Sequence, residues 1–260
     1  MRISVIIPCY NCENTIEKCI LSVLKQTSTV FEIICINDGS TDGTLTKLYD
    51  IQSKFCKLIN LIVLSQENSG PSVARNNGIL KSKGEWIAFL DSDACWHERK
   101  IEIFTEFLLN NEAAILGSLD GCEKYKKIEF NDLIWKNFFV TSSVLVEKNC
   151  ILENLFDSNQ KYSEDYKVWL KIIYKYNGFI ISPNMSKPID FNKGENDFYM
   201  GSGLSSKLWL MEKAELENYK YLLDKKMISY IKFLGISMYS LLKFFRRVLL
   251  VNFKKNNLGV

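Results

Sequence analysis

Histidine is almost missing from this chain: His97 is the only one among 260 residues. With 4 prolines and 13 glycines there is too little turn chemistry for a loop-rich extracellular scaffold or a fibrous repeat. No apolar run approaches the roughly 18–20 residues that a membrane-spanning helix needs. The first residues lack the basic-then-apolar pattern of an export signal and read as a strand, so the chain is expected to be cytoplasmic. No Gly-x-Gly-x-x-Gly follows that strand, which speaks against a dinucleotide oxidoreductase, and no Walker lysine sits in a glycine-rich loop. A bound nucleotide would therefore need its diphosphate neutralised by a metal rather than by a glycine cradle.

Eight cysteines are present without a regular framework. Most lie in apolar surroundings, as in Ile33-Ile34-Cys35-Ile36, where a thiol behaves as a small hydrophobe. Cys9 and Cys12 have the spacing of half a zinc site, but no second pair follows. Reduced thiols are the expectation for a chain without an export signal.

The net charge of +3 is unevenly spread. Residues 225–260 contain no Asp or Glu but eight Lys and Arg, so the first 224 residues are mildly acidic. An acidic body excludes a nucleic-acid-binding surface there, and no nucleic acid is expected as a partner. At about 100° per residue, Lys225, Lys232, Lys243, Arg246, Arg247 and Lys254 fall on one side of a helix, with Ile228, Ile231, Leu234, Met238, Leu241, Leu242, Phe245, Val248 and Leu249 opposite. Such a basic amphipathic helix is suited to lie in the headgroup layer of an anionic membrane, which points to peripheral attachment on the inner face of the cell membrane through residues 225–255. The alternative packs the apolar stripe on protein and leaves the lysines in water.

Strand-length apolar runs at 3–7, 31–36, 61–64 and 85–90 alternate with helical patterns at 14–25, after Thr41 and from Pro71. Continuous apolar strands separated by helices predict a parallel sheet covered on both faces. After Asp93 the pattern changes, with helices over 99–109 and 166–176 and added antiparallel strands over 124–130 and 141–146. From Lys207 the chain reads as helix with a break near Asp224.

In an open parallel sheet, ligands bind beyond the carboxyl ends of the strands. Those ends carry Pro8-Cys9-Tyr10-Asn11, Asn37-Asp38-Gly39-Ser40-Thr41-Asp42-Gly43 and Asp91-Ser92-Asp93. Two carboxylates separated by one small residue suit a hard divalent cation, met directly or through water.

These segments, with Asn68-Ser69-Gly70-Pro71-Ser72-Val73-Ala74-Arg75-Asn76-Asn77-Gly78 between them, resemble the family-two glycosyltransferases in order and spacing over the first hundred residues. Ser163-Glu164-Asp165-Tyr166 resembles the Glu-Asp motif of their second half, and the likeness fades beyond about residue 190. The resemblance implies an α/β architecture of the A-type glycosyltransferase fold: a Rossmann-like mixed sheet with a C-terminal helical extension. A catalytic domain over 1–206 would divide into a nucleotide-sugar half (1–98) and an acceptor half (99–206), followed by the basic extension over 207–260.

It further implies that Asp38 meets the base, most often uracil, in a pocket shaped by Pro8, Tyr10 and Glu13. Arg75 would lie near the donor and Asp91, with Ser92 between the carboxylates. Asp93, with Asp91, would hold Mn2+ or Mg2+, and Asp165 would be the general base. The implied activity is inverting transfer of a hexose or N-acetylhexosamine from a UDP-sugar to a hydroxyl of a lipid-linked glycan in surface-polysaccharide synthesis. The chemistry agrees, since a departing diphosphate needs its charge stabilised and an acceptor hydroxyl needs its proton removed.

Other residues are open to two readings. Tyr166 and Trp169 would wall a sugar site or belong to the core, and His97 would approach the metal or simply start a helix. Lys193 would supply a cation to the diphosphate, and Gly201 to Ser206 would form a lid or only a loop. A dehalogenase-like phosphotransferase would want Asp-x-Asp on its first strand rather than its fourth. A catalytically silent carbohydrate-binding scaffold would have lost the metal pair or the base, and both are intact.

Overall fold

The computed structural model describes residues 1–121, 124–189 and 207–258, with side chains as far as residue 251. They form two compact units: Met1–Asn159 with Val168–Ile189, and Gln160–Lys167 with the described residues from 207 onward.

In the first unit the apolar runs become β1 (Ile3–Cys9), β2 (Glu32–Asp38), β3 (Asn60–Gln66) and β4 (Trp86–Phe89), separated by α1 (Ile16–Leu24), α2 (Thr44–Phe55) and α3 (Pro71–Lys81). Every residue of β1 except Pro8 is buried, as is all of β2, which is why both are dominated by apolar residues rather than alternating. Then come β5 (Ala94–Trp96), α4 (Lys100–Asn110), β6 (Ile115–Ser118), β7 (Tyr125–Ile128), α5 (Phe130–Leu133), β8 (Leu145–Glu147), α6 (Lys148–Leu152), α7 (Glu164–Lys175), β9 (Gly178–Ile181) and β10 (Ser186–Pro188).

Eight strands form one sheet in the order β3-β2-β1-β4-β8-β6-β9-β7, and β5 pairs with β10 separately. β1 runs parallel to both β2 and β4, whereas β8 is antiparallel to β4 and β6. The sheet is therefore mixed, as expected. Its chain order reverses at β1, so the crevice beyond the carboxyl ends of β1 and β4 is the topological switch point where ligands bind in open α/β sheets.

The two faces of β1 are filled by different helices. Ile3, Val5 and Ile7 share a core with Ile16, Ile20 and Val23 of α1 and with Ile101 and Phe104 of α4. On the other face α3 lies close to the sheet because Gly78 has no side chain. A Cβ there would come within 2.6 Å of Ile6 Cγ2 and 2.9 Å of Ile36 Cδ1. That close approach sets where α3 carries Arg75.

Two details differ from expectation. The antiparallel strand expected over 141–146 is a 3₁₀ turn at Thr141–Ser143 followed by the short β8, since Ser142 and Ser143 use their hydroxyls on neighbouring chain instead of continuing a ladder. The β5–β10 pair was not foreseen, because three-residue strands carry almost no periodicity.

The second unit contains α8 (Leu208–Asp224) and α9 (Tyr230–Leu258), joined through residues 225–229. Ile236 and Ser240 of α9 are buried. One turn and two turns further on, Lys243 reaches Glu215 Oε1 at 3.5 Å and Arg247 reaches Glu212 Oε2 at 3.1 Å, both on α8. Two cations of the expected lipid-facing set thus turn toward acidic partners on the neighbouring helix. Ile231, Leu234, Met238, Leu242, Phe245 and Leu249 are exposed on the far side of α9. The side chains of Lys254 and Lys255 lie outside the described residues. Among the described residues, no helix is long and apolar enough to cross a membrane.

Candidate active site at the carboxyl ends of the strands

The loops after β1 and β2 are stitched together by side chains. Asn11, in the left-handed region at φ 48°, donates its N–H to Ser40 Oγ at 3.1 Å and accepts the Thr41 N–H on Oδ1 at 2.8 Å. The Cys12 N–H donates to Thr44 Oγ1 at 2.8 Å, and Glu13 Oε2 accepts the Gly43 N–H at 2.7 Å. Asp42 spans the same join, accepting from the Glu13 and Thr44 N–H groups. Slight burial raises its carboxyl, but the hydrogen bonds from Thr44, Glu13 and its own backbone together hold it below the usual range. Pro8 is the last residue but one of β1, and Tyr10, just beyond the strand, stands out at 52% exposure, available to stack on a planar ligand.

Asp38 is buried at the end of β2. Its Oδ1 accepts from Gln66 Nε2 at 2.7 Å and the Ser69 N–H at 2.8 Å, and its Oδ2 accepts the Gly70 N–H at 2.9 Å. The carboxylate thereby fastens the Asn68–Gly70 turn, where Gly70 takes φ 88°, to the sheet. With about four acceptor positions on a carboxylate, Oδ2 keeps capacity for one more donor.

Arg75, nine-tenths buried, donates from Nη2 to Asp91 Oδ1 at 2.9 Å and lies 5.4 Å from the Phe156 ring centroid. Ser142 Oγ donates to Asp91 Oδ2. Both oxygens of Asp91 are thus engaged by protein, while Asp93, two residues on, is exposed. Its carbonyl accepts the Ile189 N–H at 2.8 Å. Asp190, Lys193 and the Gly201 to Ser206 stretch lie outside the described residues.

Among the described residues no three His, Cys, Asp or Glu side chains are grouped to hold a metal ion, which leaves the Cys9–Cys12 spacing without zinc partners. The donors present still fit magnesium or manganese, which are held by one or two carboxylates with substrate phosphates and water completing the shell. Asp93 offers the exposed hard oxygen, and Asp91 is fixed behind it.

Three features here were not legible in the sequence. Ser142 carries no motif; its only signal is a run of hydroxyl residues before a short strand. Lys100 is fully buried, with Nζ 3.9 Å from the Trp96 ring centroid and 3.4 Å from the Ser142 carbonyl it donates to. Burial pushes its ammonium well below the usual lysine range. Cys9 is buried and its thiol is held up by burial, whereas its hydrogen bond to Cys12 brings the Cys12 thiol down to about 7, against the opposing effect of burial there. His97 is an exposed helix-start residue whose Nδ1 accepts the Arg99 N–H at 3.3 Å.

Asp165 is the second residue of α7 and belongs to the second unit. Its Oδ1 accepts the Tyr166 N–H at 2.7 Å. The aromatic wall considered for Tyr166 and Trp169 is absent. Trp169 is core, ringed by Phe89, Phe139 and Phe156 at 5.9–6.4 Å, and buried Tyr166 meets Tyr219 edge to face at 6.5 Å. A cavity of about 520 Å³ opens elsewhere, among Met1, Trp86, Leu108, Glu112, Glu147 and Asn177. Trp86 and Glu147 are at the far end of the β4–β8 pair from Asp91, so the cavity is not this site.

A polar edge of this make-up at the switch point of a mixed Rossmann-like sheet defines the A-type glycosyltransferase fold. Residues 4–168 match the family described as Glycosyl transferase family 2, and the chain belongs to that family. A Rickettsia bellii protein described as an uncharacterized glycosyltransferase is 36% identical over 186 residues, 66% of this chain and 26% of its own. The chain thus spans about a quarter of that relative's length, and about a third of two other Rickettsia relatives. The Escherichia coli UDP-Glc:alpha-D-GlcNAc-diphosphoundecaprenol beta-1,3-glucosyltransferase WfgD is 32% identical over 69% of this chain and 75% of its own.

Among solved structures, S. aureus TarS 1-349 aligns with TM-score 0.68 and 21% identity over 93% of this chain and 71% of that one. TarS has also been solved with UDP and with UDP-GlcNAc. The Pyrobaculum calidifontis mannosyltransferase PcManGT, solved with GDP-Man and Mn2+, aligns with TM-score 0.64 and 16% identity over 86% and 64%.

Proposed function

We propose that this chain is an inverting glycosyltransferase that moves a hexose or N-acetylhexosamine from a UDP-sugar to a hydroxyl of a lipid-linked glycan in bacterial polysaccharide synthesis. The observation that carries this reading is the division of labour at the switch point. Asp38 and the stitched β1–β2 loops form one wall, Arg75 and Ser142 immobilise Asp91, and Asp93 is left exposed. The name of WfgD, with a UDP-sugar donor and a diphosphoundecaprenol-linked acceptor, supports the substrate class.

Asp38 would accept from the base through its remaining position on Oδ2, with Pro8, Tyr10 and Glu13 around the same pocket. Arg75 and Ser92 would border the donor diphosphate. Mn2+ or Mg2+ would be held by Asp93 with Asp91, supplying positive charge to the leaving diphosphate. Asp165 would take the proton of the acceptor hydroxyl as it attacks, and a single displacement of this kind inverts the anomeric configuration. A lipid-linked acceptor makes attachment to the inner membrane surface useful, and the exposed apolar stripe of α9 would supply it, with exposed Arg246 on the same helix and exposed Lys225 and Lys226 in the segment before it.

The test is UDP release from UDP-glucose, UDP-galactose and UDP-N-acetylglucosamine, with a synthetic N-acetylglucosaminyl-diphospho-lipid as acceptor. Release should need Mn2+ or Mg2+, stop with excess chelator, and be lost in Asp93→Ala while the fold is kept. NMR of the new anomeric proton should show inversion. Full turnover in excess chelator, or a retained anomer, overturns the reading, and inactivity toward all donors would favour a silent scaffold.

A further inference from the structure

The segment that carries Asp165 is held by a residue far along the chain. Asn218 of α8 is 1% exposed. Its Nδ2 donates to the Ser163 carbonyl at 2.9 Å, and its Oδ1 accepts from Gln160 Nε2 at 2.9 Å. Gln160 Nε2 also donates to the Tyr162 carbonyl at 2.9 Å. One buried amide thus grips both sides of the turn that starts α7.

That turn is not an ordinary cap. Ser163 has φ +51°, in the left-handed region that non-glycine residues seldom take, and such a conformation persists only where its surroundings over-determine it. The Ser163 carbonyl also accepts the Lys167 N–H at 3.3 Å, so the atom gripped by Asn218 is the one that closes the first turn around Glu164 and Asp165. The neighbours of Asn218 reinforce the grip: Tyr219 packs on Tyr166, and Lys167 Nζ sits 4.9 Å from the Tyr221 ring centroid. The family match ends at residue 168, so this support comes from chain beyond it.

We infer that Asn218 is a positioning residue for the reaction, fixing the direction of the Asp165 carboxylate through the Ser163 carbonyl. This rests on the reading of Asp165 as general base. Removing the amide frees the left-handed turn to relax, and misplacing a catalytic group by about 1 Å costs on the order of 100-fold in rate. Donor binding, which involves other residues, should be untouched.

The experiment is a double-mutant cycle with the full chain and Mn2+, read as UDP release from whichever of the three UDP-sugars above is turned over fastest. Asn218→Ala should lower kcat about 10- to 100-fold with the donor KM unchanged. In an Asp165→Asn background the same replacement should cost nothing more, because it acts through the group already removed. A parental kcat in Asn218→Ala, or an equal loss in both backgrounds, overturns the inference.

If Asn218→Ala does not fold by circular dichroism, Asn218→Asp serves instead. It keeps an acceptor for Gln160 but sets an acceptor oxygen against the Ser163 carbonyl in place of the donor, and a loss confined to the parental background is again expected. Parental activity in Asp165→Asn would sink the general-base reading itself. An inactive Asp165→Asn beside a fully active Asn218→Ala would sink only the inference.

Discussion

Lys100 is the residue whose environment departs furthest from what its type suggests. A fully buried ammonium with no carboxylate partner among the described residues is unfavourable, and burial lowers its affinity for a proton. The unfolded chain, with a lysine titrating near 10.4, then binds more protons than the folded one between the two values. The cost is full below the folded value and fades as pH rises toward the unfolded one. Lys100→Met should therefore raise the thermal midpoint at neutral pH, because Trp96 Nε1 still donates to the Ser142 carbonyl at 2.7 Å. Its stability advantage should shrink by about 1.4 kcal/mol per pH unit inside that window, measured by urea melts from pH 7 to 10. An advantage that grows with pH would contradict the assignment. In the sequence Lys100 reads as one more charge at the start of an amphipathic helix, and nothing local shows that Trp96, Phe104 and a turn forty residues away close over it.

Among the elements, those placed by long-range burial were legible and those placed by chain crossing were not. β1, β2 and β4 announce themselves because both faces are covered and their central side chains are apolar. The polar motifs after them then mark the site, since only the strand ends leave polar groups uncovered. β9, β5 and β10 are three or four residues long and exist because distant partners meet them. The α8–α9 pair was legible as helix but not as an ion-paired one. Glu212 is fully buried, and desolvation raises its carboxyl above the usual range even with Arg247 beside it. Arg247→Met should cost about 3 kcal/mol by stranding that charge. Its folded-state carboxyl then rises further, so the loss should diminish as pH is lowered from 7 toward 5. The double replacement Glu212→Leu with Arg247→Met should recover most of it, and an Arg247→Met chain as stable as the parent in denaturant melts would show the pair to be idle.

At the scale of the whole molecule, the proposed membrane attachment rests on α9. The basic side expected to meet lipid is partly neutralised by α8, whereas the apolar stripe from Ile231 to Leu249 is exposed. Attachment to a bilayer should accordingly rest more on apolar insertion than on charge. Flotation with vesicles of anionic phospholipid should be reduced only partly by 0.5 M salt, yet abolished by Leu242→Asp with Leu249→Asp. If the parent stays in the soluble fraction and sediments as a dimer that those replacements dissociate, the stripe is a subunit interface instead.

The stitching of the β1 and β2 loops has a consequence for the energetics of any ligand bound in the proposed donor pocket. The amides of Asn11, Cys12, Thr41 and Gly43 each have a side-chain acceptor within the protein itself. Their disorder is removed during folding, so a ligand entering beside Tyr10 meets a wall already in place. Restricting such a loop otherwise costs on the order of 1–2 kcal/mol per residue at the moment of association. If this is where the proposed donor binds, a spent nucleotide could leave without the loops first melting, and the binding affinity would go to recognition rather than to ordering.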